Sequence, residues 1–193
     1  MSQAEADPAP FRVDGRRTDT RQKIHEVALE VFRERGYDRA TMQEIAARLG
    51  VTRPALYYHY RSKDDMLASI HQALACSLDD IIEWARSRPR ARTTRYEVLR
   101  RLDELMAGPW GKFTLFAQAN EDAMRDLSAA SEFSVRMDTV GDLLSPERTV
   151  EGEMKGRLAL AALFMARARG RQLGGNRTER AAAAMRLARR LCA

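Results

Sequence analysis

The sequence predicts an all-α protein, an N-terminal helical head followed by a larger C-terminal helical bundle. Apolar residues recur at three- and four-residue spacing through most of the 193 residues, which is the pattern of amphipathic helices. No stretch of useful length alternates polar and apolar residues as a half-buried strand does. Glycine, proline and N-capping residues divide the pattern into about nine helices, and no internal repeat is visible.

The composition is typical of a globular protein in water. Apolar residues make up 45% of the chain and charged residues 31%, so it can bury a core, which a disordered chain cannot do. No window approaches the ~18 consecutive apolar residues of a membrane span, and the polar residues 1–5 do not resemble a secretory signal. Two distant cysteines, Cys76 and Cys192, argue against a disulfide scaffold or a zinc cluster. We therefore expect a cytoplasmic protein with no membrane partner.

The first helix follows an irregular N-terminal segment. Residues 1–17 combine prolines, a glycine and scattered charges without periodicity, which predicts a disordered tail. An amphipathic helix follows, with its cap expected at 18–20. Gly36 stands where a left-handed residue ends such a helix.

Two short helices come next. Thr41 and Glu44 have the spacing of a capping box at the start of the first, and Gly50 is expected to end it. Thr52 is expected to cap the second, which spans roughly 53–59 with a proline in its first turn. Two short helices with so tight a connection predict a helix-turn-helix.

The remainder is predicted to be helical, with breaks at Pro89, Gly108 and Pro146. The expected helices cover about 63–86, 93–106, 112–127, 131–144 and 152–168, and Thr178 is expected to cap a last helix that ends near 191.

The second short helix has an unusual outer face. At about 100° per residue, Leu56 and Tyr60 share the inner face, and Tyr58 lies at the centre of the opposite one. The outer face and its edges comprise Arg53, Pro54, Ala55, Tyr57, Tyr58 and His59. Small residues allow close approach to a thymine methyl, and arginine or tyrosine can meet base edges or phosphates. This face therefore suits a DNA major groove.

Residues 20–67 resemble the N-terminal DNA-binding domain of TetR/AcrR-type regulators. The residues in register with that family are Phe32, Gly36, Tyr37, Thr41, Ile45, Ala46, Gly50, Val51, Leu56, Tyr57, His59, Tyr60 and Lys63. The match covers about a quarter of the chain, and Tyr60 stands where phenylalanine is commoner. The resemblance implies a homodimer whose recognition helices enter successive major grooves of a near-palindromic operator.

The resemblance also implies roles for individual residues. It implies phosphate contacts from Thr41, Tyr57, His59 and Lys63, and base contacts from Gln43, Arg53, Ala55 and Tyr58. With Thr52 and Pro54, these residues form the predicted DNA-binding set. The net charge of +6, with +4 in residues 21–63, favours DNA only modestly. Arg12, Arg16 and Arg17 are candidates for an arm in the minor groove.

The C-terminal part permits two interpretations. Large, adaptable side chains between 106 and 137 form either an ordinary core or a pocket for an apolar or aromatic small molecule. The candidate pocket residues are Met106, Trp110, Phe113, Phe116, Met124, Phe133 and Met137, with Asp103, Gln118 and Asn120 as polar partners. The eight arginines from 167 to 190 are expected to form a solvated face.

In the family plan the last two helices form a four-helix bundle with the dimer mate. Small residues in these helices allow close approach between them. The candidate interface residues are Leu158, Ala161, Ala162, Met165, Ala184, Met185 and Ala188.

These observations predict a homodimeric repressor with a DNA-binding domain over 18–63 and an effector-binding and dimerisation domain over 64–193. A ligand is expected to displace the long helix that begins near Lys63. The alternatives are an activator or regulator without an effector, and a small-molecule carrier or enzyme with a vestigial head. The sequence contains no Ser/His/Asp set, glycine-rich phosphate loop or metalloprotease motif, which argues against an enzyme. His25 and His71 have no partner at ligand spacing, so neither a metal nor a cofactor is expected.

Overall fold

The computed structural model describes residues 17–119, 129–167 and 173–193, and within these ranges it has nine helices and no strand. The helices are α1 (Arg17–Arg35), α2 (Met42–Leu49), α3 (Arg53–His59), α4 (Lys63–Arg86), α5 (Arg92–Ala107), α6 (Pro109–Ala119), α7 (Ala129–Leu144), α8 (Val150–Arg167) and α9 (Arg177–Leu191). The all-α prediction is confirmed. None of these helices is both long and apolar enough to cross a membrane.

The caps predicted around the helix-turn-helix are present. The Thr41 hydroxyl accepts the N–H of Glu44 at 3.2 Å, and the Glu44 carboxylate accepts the N–H of Thr41 at 3.0 Å. Gly50 ends α2 with φ of 71°, a conformation that glycine adopts without steric cost. Thr52 then accepts the N–H of Ala55 at the start of α3. These local bonds fix where α2 ends and α3 begins.

Two predicted helix caps differ from those in the structure. Helix α1 begins at Arg17, so residues 18–20 lie within its first turn rather than at its cap. The predicted continuation of α6 to 127, like residues 1–16 of the predicted tail, lies outside the described residues. Helix α9 is capped by Asn176 and not by Thr178, because Asn176 and Glu179 exchange hydrogen bonds in a second capping box.

Two helices, α4 and α6, connect the head (α1–α3) to the body (α4–α9). Helix α4 runs continuously from the head into the body, and α6 packs against α1 from the side. The Phe116 ring lies 5.6 Å from Phe32 and 5.8 Å from Tyr37, measured between ring centroids. Lys112 Nζ also lies 2.7 Å from Glu30 Oε1. The body therefore contacts the head through α6 as well as through α4.

Helices α7 and α8 meet at a pair of glycines. A Cβ atom on Gly156 of α8 would lie 2.2 Å from the carbonyl oxygen of Gly141 on α7. Any side chain at position 156 would force the two backbones apart, so glycine is required by this close approach.

Candidate DNA-binding surface and effector region

The outer face of α3 is open to solvent. Tyr58 is 85% exposed and Tyr57 is 38% exposed, whereas Leu56 and Tyr60 are buried against the head. The remaining residues of the predicted outer face and edges are also exposed: Arg53, Pro54, Ala55 and His59. The predicted division of α3 into an inner and an outer face is confirmed.

Arg53 and Tyr57 order one another at one edge of this face. A terminal N–H of Arg53 donates to the Tyr57 hydroxyl at 3.3 Å, and its guanidinium carbon lies 5.2 Å from the Tyr57 ring centroid. Side chains ordered before binding lose less conformational entropy when a partner arrives. Arg53 keeps further N–H donors for a base edge or a phosphate.

Lys63 is less available than the sequence predicts. Its Nζ donates to the backbone carbonyls of Tyr37 at 2.7 Å and Asp38 at 3.0 Å, and lies over the Tyr37 ring. An ammonium group has three N–H donors, so one remains for a phosphate. Thr41 and Gln43 are exposed at the start of α2. Their contacts with DNA stay predictions.

A buried polar cluster lies behind α3 and was missed by the sequence analysis. His25 Nε2 on α1 lies 2.8 Å from the Tyr60 hydroxyl and 3.2 Å from Ser69 Oγ on α4. Because Tyr60 directly follows α3, the cluster joins the recognition helix to α1 and α4. Burial, with a smaller contribution from the charge of Arg21, lowers the pKa of His25 to about 4. The imidazole is therefore neutral at pH 7.

Acidification should destabilise the fold through His25. In the unfolded chain a histidine titrates near pH 6.5, above its folded pKa of about 4, so the unfolded state takes up the proton first as pH falls. The neutral His25 therefore stabilises the fold fully above pH 6.5. Roughly 3 kcal/mol of the free energy of unfolding is lost as the pH falls from 6.5 to 4. We expect the free energy of unfolding, measured by urea denaturation, to decline less between pH 7.5 and 4.5 in His25→Leu than in the unsubstituted chain.

His59→Leu is the matched control for this experiment, because His59 is exposed on α3 and lies outside the cluster. It should keep the pH dependence of the unsubstituted chain. An unchanged pH dependence in His25→Leu would contradict the assignment.

Four predicted pocket residues lie in the core. Met106, Trp110, Phe113 and Phe116 are each at most 7% exposed. Phe116 contacts head residues, so its predicted role in a pocket is replaced by a role at the junction of α6 with the head. Phe133 is half-buried and packs on Trp110.

The other predicted pocket residues differ in how far the structure describes them. Met137 is half-buried. The Gln118 side chain, Asn120 and Met124 lie outside what the structure describes. The described ranges contain no group of three or more side chains able to hold a metal ion.

Asp103 is engaged in an ion pair. Arg167 donates to the Asp103 carboxylate and backbone carbonyl, and also to the carbonyl of Met106 in the last turn of α5. The Arg167 side chain is 9% exposed, so the prediction that the arginines from 167 to 190 form a solvated face is wrong for this residue. Arg167 is buried at this position because it donates to carbonyls near the C-terminus of α5, where backbone carbonyls lack intrahelical partners.

Five exposed residues of α8 form an apolar stripe. Leu158 and Met165, both predicted interface residues, are 53% and 59% exposed, and Ala161 between them is exposed as well. Val150 and Met154 extend the stripe by two turns and were not predicted. Spacings of three and four residues place all five on one side of the helix.

The predicted interface residues of α9 are mostly turned inward. Ala184 and Ala188 are buried, so they pack α9 against its own chain and are not available to a partner. Ala162 of α8 and Met185 of α9 are half-buried. Leu187, which was not predicted, is 50% exposed and adds an apolar residue on α9, the helix that packs along α8.

The head matches known proteins in sequence. A sequence model of bacterial regulatory proteins of the tetR family matches residues 24–70, which include α2 and α3. The transcriptional regulator SrpR of Pseudomonas putida is 44% identical over 52 residues, 27% of this chain and 24% of SrpR. The transcriptional repressor BepR of Brucella suis is 42% identical over 59 residues, 31% of this chain and 28% of BepR. Over this N-terminal segment the chain is therefore similar to regulatory proteins of the tetR family.

A solved structure shares the fold of both the head and the body. A TetR-family transcriptional regulator from Mesorhizobium loti superposes with a TM-score of 0.62, covering 92% of this chain and 95% of that one. At 19% identity this likeness shows the fold alone. The chain matches only about a quarter of the length of SrpR and BepR, and both are named as regulators of transcription rather than as enzymes.

Proposed function

We propose that this chain is a homodimeric DNA-binding transcriptional repressor, released from its operator by a small apolar or aromatic ligand. The exposed outer face of α3 carries the proposal. This face has no partner within the described head. Its Tyr58 is 85% exposed, Arg53 and Tyr57 form an ordered pair, and small residues lie between Arg53 and Tyr57. Such a face fits the major groove, where small residues allow approach and arginine contacts guanine or phosphate.

The apolar stripe on α8 supports the homodimer. Exposed large apolar residues that form one contiguous surface are typical of protein-protein contacts. A twofold axis through this stripe would pair two bodies through the same surface of each. The two α3 helices would then read half-sites about 34–36 Å apart, one turn of the duplex.

Helix α6 supports release by a ligand. It carries Trp110 and Phe113 in the body, and Lys112 and Phe116 of the same helix contact the head. A ligand that displaces α6 therefore moves the head directly, besides any effect on α4. Coupling of about 1–3 kcal/mol between the two sites would weaken operator binding roughly 5- to 150-fold.

Operator binding tests the proposal. We expect fluorescence anisotropy with DNA flanking the chain's own gene to show tighter binding than with unrelated DNA of equal length. Tyr58→Ala and Arg53→Ala should each weaken operator binding by about 1–3 kcal/mol and relax the preference for the operator sequence. Arg148→Ala removes one exposed arginine from the body and should leave both unchanged.

Two results would contradict the proposal. One is equal affinity for operator and unrelated DNA, which would favour a carrier with a vestigial head. The other is an Arg53→Ala variant with unaltered affinity and sequence preference.

A further inference from the structure

Two buried N–H donors in the body have no acceptor among the described residues. Trp110 Nε1 and Arg167 Nε find no hydrogen-bond partner in that part of the chain, although Trp110 is 2% exposed and the Arg167 side chain 9%. Buried polar groups are nearly always paired, because an unpaired one loses its hydration without replacement. Both donors belong to one corner of the body, where α5 passes into α6 beside the end of α8.

An aromatic cluster surrounds the Trp110 donor. The Trp110 ring centroid lies 5.2 Å from that of Phe133, with the ring planes 33° apart, and 6.5 Å from that of Phe164. Phe164 precedes Arg167 by three residues and so lies on the same side of α8. Phe133 and Phe164 are only half-buried, so the cluster is accessible on that side. Flat aromatic walls of this kind favour a planar ring.

The guanidinium that carries one of the two donors is not an unpaired charge. The Arg167 guanidinium is paired with the Asp103 carboxylate. Burial and, to a smaller extent, Arg136 lower the pKa of His71 against an opposing effect of Glu132, so the ring beside Phe133 is neutral at pH 7. A charged ligand at these two donors would lose its hydration without gaining a counter-charge from Arg167.

We propose that this corner binds an uncharged aromatic molecule that carries a carbonyl or ether oxygen. The ring packs against Trp110, Phe133 and Phe164, and the oxygen accepts the N–H of Trp110. Arg167 Nε supplies a second donor. This inference rests on the proposed function, since it names the chemical class of the effector.

Three naphthalene probes of similar size test the class. Isothermal titration calorimetry on the full chain would compare 2-acetylnaphthalene, 2-ethylnaphthalene and 2-naphthoate. We expect the acetyl compound to bind roughly 3- to 10-fold more tightly than the ethyl compound, which has no acceptor. The charged 2-naphthoate should bind more weakly than the acetyl compound.

Two tryptophan variants locate the donor. Trp110→Phe keeps an aromatic ring and loses the N–H, so the acetyl and ethyl compounds should bind it with nearly equal affinity. Trp84→Phe is the matched control, because Trp84 packs under the Arg101 guanidinium on another part of the body and should leave the preference intact. The ratio of two affinities on one sample does not depend on the folded fraction, so a loss of stability cannot imitate this result.

Any of three results would overturn the inference. They are equal affinities of the acetyl and ethyl compounds for the unsubstituted chain, a preference for the acetyl compound that persists in Trp110→Phe, and no binding of any probe. Operator binding without probe, measured on the same samples, separates this failure from that of the proposed function. A chain that binds its operator but shows no acetyl preference retains the proposed function and loses this inference. A chain that shows the acetyl preference but does not bind its operator retains this inference and loses the proposed function.

Discussion

Phe116→Ala is expected to lower the free energy of unfolding by about 3–5 kcal/mol, the cost of removing a fully buried phenylalanine ring. Phe116 is 0% exposed and packs against Phe32 and Tyr37 of the head. Its loss leaves a cavity at the junction of α6 with the head, so hydrogen exchange of the α1 amides should also become faster. Urea denaturation and native-state hydrogen exchange measure the two effects.

Phe133→Ala serves as the control for Phe116→Ala. Phe133 is half-buried within the body and contacts Trp110 and His71 rather than the head. This variant should cost less stability and should accelerate exchange in the body more than in α1. A cost below about 1 kcal/mol for Phe116→Ala, or unchanged exchange in α1, would show that α6 does not hold the head.

The double variant Leu158→Glu, Met165→Glu is expected to abolish the dimer and to weaken operator binding by about 10²- to 10⁴-fold. Both side chains lie in the apolar stripe of α8, and two carboxylates placed there would be desolvated without partners in a dimer. A monomer loses the high effective concentration that the first bound half-site gives the second. Light scattering after gel filtration and anisotropy with the operator measure the two losses.

Val135→Glu is the matched control for the interface variant. Val135 is 65% exposed on α7, so the same change in polarity falls outside the stripe. It should leave both the dimer and the operator affinity intact. A dimer that survives the double variant would place the interface elsewhere.

Local signals allowed most of the head to be predicted. Thr41, Gly50 and Thr52 act through hydrogen bonds and backbone angles within four residues of themselves. A short sequence pattern is therefore enough to predict these caps. The exposed face of α3 followed from helical periodicity in the same way. The Asn176 cap has a local signature of the same kind, Asn-x-x-Glu.

Contacts between distant helices could not be predicted from such patterns. His25 contacts Tyr60 and Ser69, which are 35 and 44 residues away in the sequence. The periodicity within one helix cannot predict such a contact. Phe116 was recognised as a large apolar residue, but whether it faces a pocket or the head depends on how α6 packs on α1. The sequence predicts a solvated Arg167, because the carbonyls that bury it lie more than 60 residues earlier in the chain.

The glycine contact between Gly141 and Gly156 restricts which parts of the body can respond to an effector. Backbones in direct contact leave no side-chain layer that could rearrange, so α7 and α8 should translate and rotate together as a fixed platform. Since α8 carries the apolar stripe, two such platforms would form the static centre of the assembly. Spin labels on α7 and α8 should then keep their separation upon effector binding, while labels on α6 and the head change theirs.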